Sequence, residues 1–358
     1  MKKLIYKTAL FTGPFFLFYL IYINYYTDDR GDLSRLGYIP KTINYDFKAL
    51  FKKELNAKVY YRKVSELNLN SKNKFNVLTV GDSFSEQDGM SYQNYIDHNL
   101  SIVHYDRFLH DNPIETVNSL VNGDVLDNLQ VDYIILQSVE RFFVERGIEV
   151  KNNNKIKTDS LIDVIAKYKE KKKKEEEKKE ATKDKFFNRD ILLFPLNNIV
   201  YNYRDKGYYS RVHQVKTTKN LFITNNNKLL FYDDDYNNTP KNNDINNIKK
   251  LNDELNLVAK KLKQKGIQLI VLPCPDKFDI YYDYIANKKD YERPLFFDHI
   301  RSLKKDYLFV DAKKILQEKI KNTIDVYFYD DTHWSPIATQ IIGPELEKII
   351  KSNSTSQK

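Results

Sequence analysis

The 358-residue sequence predicts an α/β protein. The expected architecture is a flavodoxin-like, three-layer α/β/α domain with a parallel sheet, a long insertion and an N-terminal transmembrane helix. Three observations predict it. Short apolar runs bounded by turn residues recur at 75–80, 101–105, 131–137, 267–273 and 306–312 and read as buried strands. Helical patterns separate them, which implies right-handed crossovers and a sheet covered on both faces. An apolar stretch over residues 4–23 is long enough to cross a bilayer.

The first 27 residues form the expected membrane anchor. Lys2, Lys3 and Lys7 lie at its start, with Lys7 able to snorkel, and Asp28 and Asp29 follow it, so the N-terminus is expected in the cytoplasm and the body outside. A cleaved signal peptide is the alternative, but no A-x-A-like site follows the stretch. Tyr22, Tyr25 and Tyr26 suit the outer interface. Residues 28–70 are polar and mixed, a membrane-proximal segment that packs beside the main domain or spaces it from the bilayer.

The main domain is expected over 71–358. FNVLTV (75–80) ends at Gly81, SIVHY (101–105) is a second strand, and a short helix stopping at Asn122-Gly123 precedes VDYIILQ (131–137). An insertion spans about 143–244. Its run YKEKKKKEEEKKEATKDK (168–185) has no apolar stripe and reads as a solvated helix held by pairs such as Glu175–Lys179, or as partial disorder. LFITNNNKLLFY (221–232) reads as a hairpin with an asparagine-rich turn. A long helix over 245–265 leads through Gly266 into IQLIVLP (267–273), then DYLFVDA (306–312), and a helix over 335–350 closes the domain.

A formal charge of +9 admits an acidic partner, but many lysines lie in the one mixed run. No basic–aromatic module is present, so nucleic acid is not expected as a partner. A single cysteine, Cys274, excludes an intrachain disulfide framework and a cysteine-rich metal site. His98, His104 and His110 recur every six residues, a spacing that suits neither a helix face nor a strand, so no metal site is expected.

The block VGDSFSEQDG (80–89) places Ser83 just past the first strand, where an open parallel sheet binds ligands. Ser83 can cap a helix or act as a nucleophile. Gly81 permits an unusual turn, and free N–H groups at a helix start beside Ser83 could stabilise an oxyanion. A serine needs a base, and the base needs an orienting carboxylate. YFYDDTHWSPIAT (327–339) supplies His333, with Asp331 two residues and Asp330 three residues before it. This segment lies between the last strand and the last helix, at the same sheet edge. Ser335-Pro336 as a helix cap is the bland alternative; the two blocks together favour a triad of Ser83, His333 and Asp331, with Asp330 the alternative acid.

GDSFS near the start with a carboxylate–histidine pair near the end resembles the SGNH (GDSL-type) hydrolase superfamily. DTHW (331–334), PCPDKFDIYY (273–282) and QSVERFF (137–143) resemble one branch, the alginate-acetylation-type polysaccharide O-acetyltransferases. The resemblance covers about 71–142 and 245–350. It implies Ser83 as nucleophile, His333 as base and Asp331 as the acid that orients it. There are two departures: in the alginate proteins the D-x-H word precedes the serine block, and no G-x-N-D block follows the third strand here. The familiar asparagine donor is therefore missing, which leaves the Ser83 N–H, Gln137 or Arg141 for the oxyanion. Arg141 with Glu140 as a structural ion pair is the alternative. Trp334 could form a sugar-stacking wall or simply pack. Lys277 and Tyr281, past the fourth strand, could contact an acidic glycan.

The resemblance implies a membrane-anchored O-acetyltransferase acting on a cell-envelope or secreted polysaccharide, with no bound cofactor. Its acetyl donor would be a polytopic membrane acyltransferase, since one span cannot export an acyl group. An esterase using the same triad, and a non-catalytic glycan-binding or assembly protein on this scaffold, are the alternatives.

Overall fold

The computed structural model describes residues 1–25, 31–40, 44–181 and 189–356, with the backbone alone at 22–25, 176–181, 189–192 and 354–356. Tyr26, Asp28 and Asp29 lie outside the described residues, as do the side chains of Tyr22, Tyr25 and Lys179. Strands β1 (Tyr61–Lys63), β2 (Asn73–Val80), β3 (Ile102–Tyr105), β4 (Leu129–Val139), β7 (Gln268–Cys274) and β8 (Leu308–Phe309) form one sheet. The other two strands, β5 (Val212–Lys216) and β6 (Lys228–Tyr232), form a separate antiparallel hairpin.

The sheet order is β1-β3-β2-β4-β7-β8, and each neighbouring pair is parallel. The five strands read from the sequence thus stand second, first, third, fourth, fifth, which is the flavodoxin-like order. That order places β2 at the reversal, where a cleft opens beyond the strand ends. β1 is an added edge strand drawn from the polar segment before residue 71. β8 is shorter than the apolar run suggests, because Asp311 caps a helix, accepting from the Lys314 N–H at 3.0 Å, and turns the chain out of the sheet.

Alternating residues of the central strands point to opposite layers. Val77, Tyr133, Ile135, Ile270 and Leu272 pack with Leu316, Ile342 and Leu346 of helices Ala312–Ile320 and Pro336–Ser356. Leu78, Ile134, Leu136, Leu269 and Val271 pack with Val117, Phe143, Leu251 and Leu255 of helices Pro113–Asn122, Glu140–Ile148 and Ile245–Gln264. In the last of these, Ile248, Leu251, Leu255, Val258 and Leu262 recur at three- and four-residue spacing, and each such side chain contributes about 1.5–3 kcal/mol by burial. Gly266 takes a left-handed φ of 78° to turn that helix into β7.

The insertion differs from expectation in register. The hairpin pairs Val212 with Tyr232 and Lys216 with Lys228, so its first strand precedes the expected 221–232 stretch. Leu221 and Phe222 are buried in the connection, whose Asn225 and Asn227 adopt positive φ of 50° and 48°. Residues 168–181 of the charged run lie on helix Thr158–Ala181, where Lys174 bonds Glu170 at 2.6 Å and Lys171 lies 3.9 Å from Glu175. At the N-terminus, helix Lys2–Tyr25 contains a stretch long and apolar enough to cross a membrane. A signal sequence has the same properties.

Candidate active site

β2 ends at Val80 and the chain turns immediately. Gly81 is required by close approach, since a Cβ there would meet Ser85 Oγ and Gln137 Oε1. The expected helix after it does not form. Asp82 O accepts from the Ser85 N–H at 3.0 Å, and the chain continues through short turns at Asp88–Met90 and Tyr92–Tyr95. Side chains impose this path: Ser91 Oγ accepts from the Gln87 N–H at 2.7 Å, and Gln93 Nε2 donates to Ser85 O at 2.8 Å.

The turn is riveted to β4 through Asp82. Its carboxylate accepts from Arg146 Nη1 at 2.6 Å, Val139 N at 2.8 Å and Gln137 Nε2 at 2.9 Å. Burial alone would lift the Asp82 pKa, but Arg146 and these donors hold it below the ordinary value. Ser83 is thereby fixed with Oγ 2.6 Å from His333 Nε2. Among the described residues no acceptor pairs with the Ser83 N–H.

His333 lies on an irregular loop between the last strand and the last helix. Its Nδ1 is 2.5 Å from Asp331 Oδ1, which also accepts from the His333 N–H at 2.9 Å. With the ring proton on Nδ1, the Nε2 lone pair faces the Ser83 hydroxyl. Burial would push the His333 pKa down; the charge and hydrogen bond of Asp331 outweigh it and raise it above 6.5. Burial would likewise lift Asp331, and the facing imidazole lowers it instead. Asp330, the alternative acid, is directed elsewhere: its Oδ2 accepts from the Gly31 N–H at 3.3 Å, and burial, with Asp331 adding to it, raises its pKa to about 6. Ser335 also caps the following helix, accepting from the Ile337 N–H at 3.1 Å, so the bland reading of this segment holds beside the chemical one.

Several residues expected to face ligand are structural. Lys277 is fully buried, and its Nζ donates to the carbonyls of Phe328 and Tyr329 at 2.6 Å each and of Asp331 at 3.2 Å. It clamps the His333 loop and cannot reach a glycan. Tyr281 is buried too, its hydroxyl accepting from the Tyr327 N–H at 3.3 Å. Trp334 has no exposed surface and packs edge-on against Phe84 with ring centroids 5.4 Å apart, so it is no sugar platform. Gln137 spends both ends of its amide: Oε1 accepts from Asp82 N at 3.0 Å and Ser85 Oγ at 2.8 Å, while Nε2 donates to Asp82 and Cys274. It has no donor left for an oxyanion. Arg141 pairs with Asp235 at 2.9 Å and Asp276 at 2.8 Å rather than with Glu140.

Sequence reasoning missed Arg146, Tyr45 and Asp32. Tyr45 OH accepts from the Tyr329 N–H at 2.8 Å, a second brace on the residue whose carbonyl Lys277 holds. Asp32 accepts from the Thr332 N–H at 2.8 Å and the Thr332 hydroxyl at 2.7 Å. Nothing in the polar stretch before residue 71 signals the contacts of Tyr45 and Asp32. Asp32, Asp331 and His333 are the described residues grouped closely enough to ligate a metal, but both His333 nitrogens already face Asp331 and Ser83.

Ser83 opens onto a cleft of about 320 Å³ walled by Arg107, Phe108, Arg141, Phe142 and Arg146. A second cavity of about 610 Å³ shares Phe108 and Asp111 with it and runs along helix Thr158–Ala181, where Tyr168 stacks on Phe108 with ring centroids 6.0 Å apart. His98, His104 and His110 are elsewhere, bonded to Asn94 O, Thr79 Oγ1 and the Tyr105 hydroxyl respectively.

Residues 225–357 match the family model of the SGNH hydrolase-like domain of acetyltransferase AlgX. The matched stretch includes Lys277, Asp331 and His333 and begins after Ser83. It bears out the resemblance read from the sequence. Comparison with curated proteins and with solved structures gives no match.

Proposed function

We propose that this chain, an α/β protein with an AlgX-type SGNH hydrolase-like domain, transfers an acetyl group through Ser83 to a hydroxyl of a cell-envelope or secreted polysaccharide. The observation that supports this reading most directly is the hydrogen-bonded series from Ser83 Oγ to His333 Nε2 at 2.6 Å and from His333 Nδ1 to Asp331 Oδ1 at 2.5 Å. In the first half-reaction Ser83 Oγ attacks the carbonyl carbon of the acetyl donor while His333 Nε2 takes its proton. The tetrahedral intermediate collapses, the donor's leaving group departs with that proton, and acetyl-Ser83 remains. In the second, His333 removes the proton of a sugar hydroxyl, whose oxygen attacks the acetyl carbon; the intermediate collapses as His333 returns that proton to the departing Ser83 Oγ.

Asp331 keeps the imidazole in the required tautomer and stabilises the imidazolium formed in each half-reaction. The unpaired Ser83 N–H is the donor assigned to the developing oxyanion. The acceptor glycan lies in the cleft beside Ser83 and continues over Phe108 and Tyr168, an aromatic pair in the adjoining cavity.

In this reading residues 4–23 anchor the chain with its N-terminus in the cytoplasm and the catalytic domain outside. A polytopic membrane acyltransferase presents the acetyl group, because acetyl-CoA is confined to the cytoplasm and a single helix cannot carry an acyl group across.

The test uses the full chain in detergent with an activated acetyl ester, following acetyl-Ser83 by mass spectrometry with and without an acidic oligosaccharide. Faster discharge onto sugar than onto water is the expected result. Acetate release at a rate indifferent to sugar makes the protein an esterase. Absence of any label on Ser83 removes the acyl-enzyme and leaves a glycan-binding protein.

A further inference from the structure

The stretch that follows the apolar helix in sequence is bonded to the loop that carries His333. The N–H of Gly31 donates to Asp330 Oδ2 at 3.3 Å, and that of Asp32 to Asp331 Oδ2 at 3.1 Å. The N–H groups of Leu33 and Ser34 both donate to the carbonyl of Asp330, at 3.0 and 3.2 Å. Four consecutive backbone donors are thus spent on two adjacent aspartates. The Asp32 carboxylate returns the contact by accepting both the N–H and the hydroxyl of Thr332. The fit is close: a Cβ at Gly31 would overlap the carbonyl of Asp330.

Asp331 is therefore held from two sides. Oδ1 faces His333, and Oδ2 is held by residue 32, so the carboxylate plane that orients the imidazole is defined by a segment three hundred positions away in sequence. A carboxylate free to rotate about its Cβ–Cγ bond would trade its imidazole bond for water.

We propose that Asp32, with the backbone of residues 31–34, is a positioning clamp for Asp331 and His333, and that the acyl-transfer centre is complete only when the segment leaving the membrane is seated on it. The inference rests on the acyl-transfer reading of Ser83. Asp32 does not touch Ser83; it acts through Thr332 and Asp331. It also brings a second carboxylate to the imidazole. The charged groups facing His333 are then Asp331 and Asp32, with Arg141 opposing them.

The clamp has a topological consequence. Five residues separate the end of helix Lys2–Tyr25 from Gly31. At about 3.5 Å per residue that stretch reaches no more than about 20 Å. If the helix spans the bilayer, the His333 loop is tethered within that distance of the membrane surface. An acyl group presented by a membrane-embedded donor would meet it there.

The test compares the full-length wild type with Asp32→Asn and Asp32→Ala in detergent. It measures single-turnover acetylation of Ser83 by an activated ester across pH, beside the melting temperature. Asp32→Asn keeps an acceptor for the Thr332 N–H and a donor for its hydroxyl but loses the charge. It is expected to melt with the wild type and to shift the acidic limb of the rate profile to lower pH, because His333 loses a carboxylate that raises its pKa. Asp32→Ala is expected to slow acetylation about 10–100-fold with unchanged KM for the ester. A wild-type pH limb in Asp32→Asn overturns the clamp even if Asp32→Ala fails to fold. Wild-type acetylation by a folded Asp32→Ala does the same. If the wild type is never labelled at Ser83, the acyl-transfer reading itself fails, an outcome distinct from labelling that ignores Asp32.

Discussion

Ser83 and His333 sit 2.6 Å apart but reach that distance by different routes. Ser83 follows a central strand whose register is set on both sides, with Val80 opposite Tyr105 on one neighbour and Leu136 on the other. Its turn is fixed by one buried carboxylate, Asp82, tied to β4 and Arg146. His333 belongs to no regular element. Its loop is held by a lysine beneath it, a tyrosine beside it and the backbone of residues 31–34 across it. Ser83 inherits its place from the sheet, whereas His333 depends on a few polar contacts from distant parts of the chain. Damage to the sheet side is therefore expected to register as lost stability, and damage to the loop side as lost stability together with lost proton transfer in the proposed reaction.

The most severe way to break this pairing is His333→Ala. Ser83 acetylation is expected to fall by about 10⁶-fold, read by single-turnover mass spectrometry. Next come Lys277, fully buried, and Arg146, half-buried, which test each side separately. Lys277→Met leaves the carbonyls of Phe328, Tyr329 and Asp331 without their buried donor and is expected to cost about 3 kcal/mol by denaturant titration, together with a loss of rate. Arg146→Met strands the Asp82 carboxylate and is expected to cost a similar amount, about 3 kcal/mol. If Lys277→Met loses stability but keeps the wild-type rate, the contrast between the two sides is wrong.

The two sides also differ in how they respond to pH. The folded Asp82 pKa lies below its unfolded value, so its contribution is present above about pH 4 and is lost as pH falls toward the folded value. The folded His333 pKa lies above 6.5, so its pair with Asp331 stabilises fully below that pH and the contribution is lost as pH rises through the folded value. In the proposed reaction acetylation runs the other way: it needs neutral imidazole and is expected to rise with pH through that same value. A pH series of denaturation and of single-turnover rates separates these trends. The smallest expected effect is that of Tyr281→Phe. It removes one acceptor from the Tyr327 N–H, costs about 1 kcal/mol and leaves the KM for an acidic glycan unchanged.

Much of the fold was legible because buried parallel strands announce themselves as apolar runs, and five of them were enough to define the order around β2. Ser83, Asp331 and His333 could be associated because strand-end geometry places both blocks at one edge. What stayed hidden has a common physical cause. Lys277, Tyr281 and Trp334 lie at that same edge, but whether a side chain turns toward the cleft or into the core depends on neighbours from other parts of the chain. Gln137 looked like a donor and is saturated by Asp82, Ser85 and Cys274. The hairpin register was misplaced because Leu221 and Phe222 are as apolar as a strand yet pack in a connection. The contacts of residues 31–34 run mostly through backbone N–H groups, which leave no mark on residue type.

The bond between residues 32 and 332 also orders events in time. Residue 32 is made long before residue 332. Closing so long a loop costs entropy that grows only slowly with length, but residue 32 has no partner there until residue 332 has been made. Contacts of such sequence separation form late in folding. The Ser83–His333 pair, 250 positions apart, falls in the same class, so in the proposed reaction the hydroxyl and its base come together only in the last stages of folding.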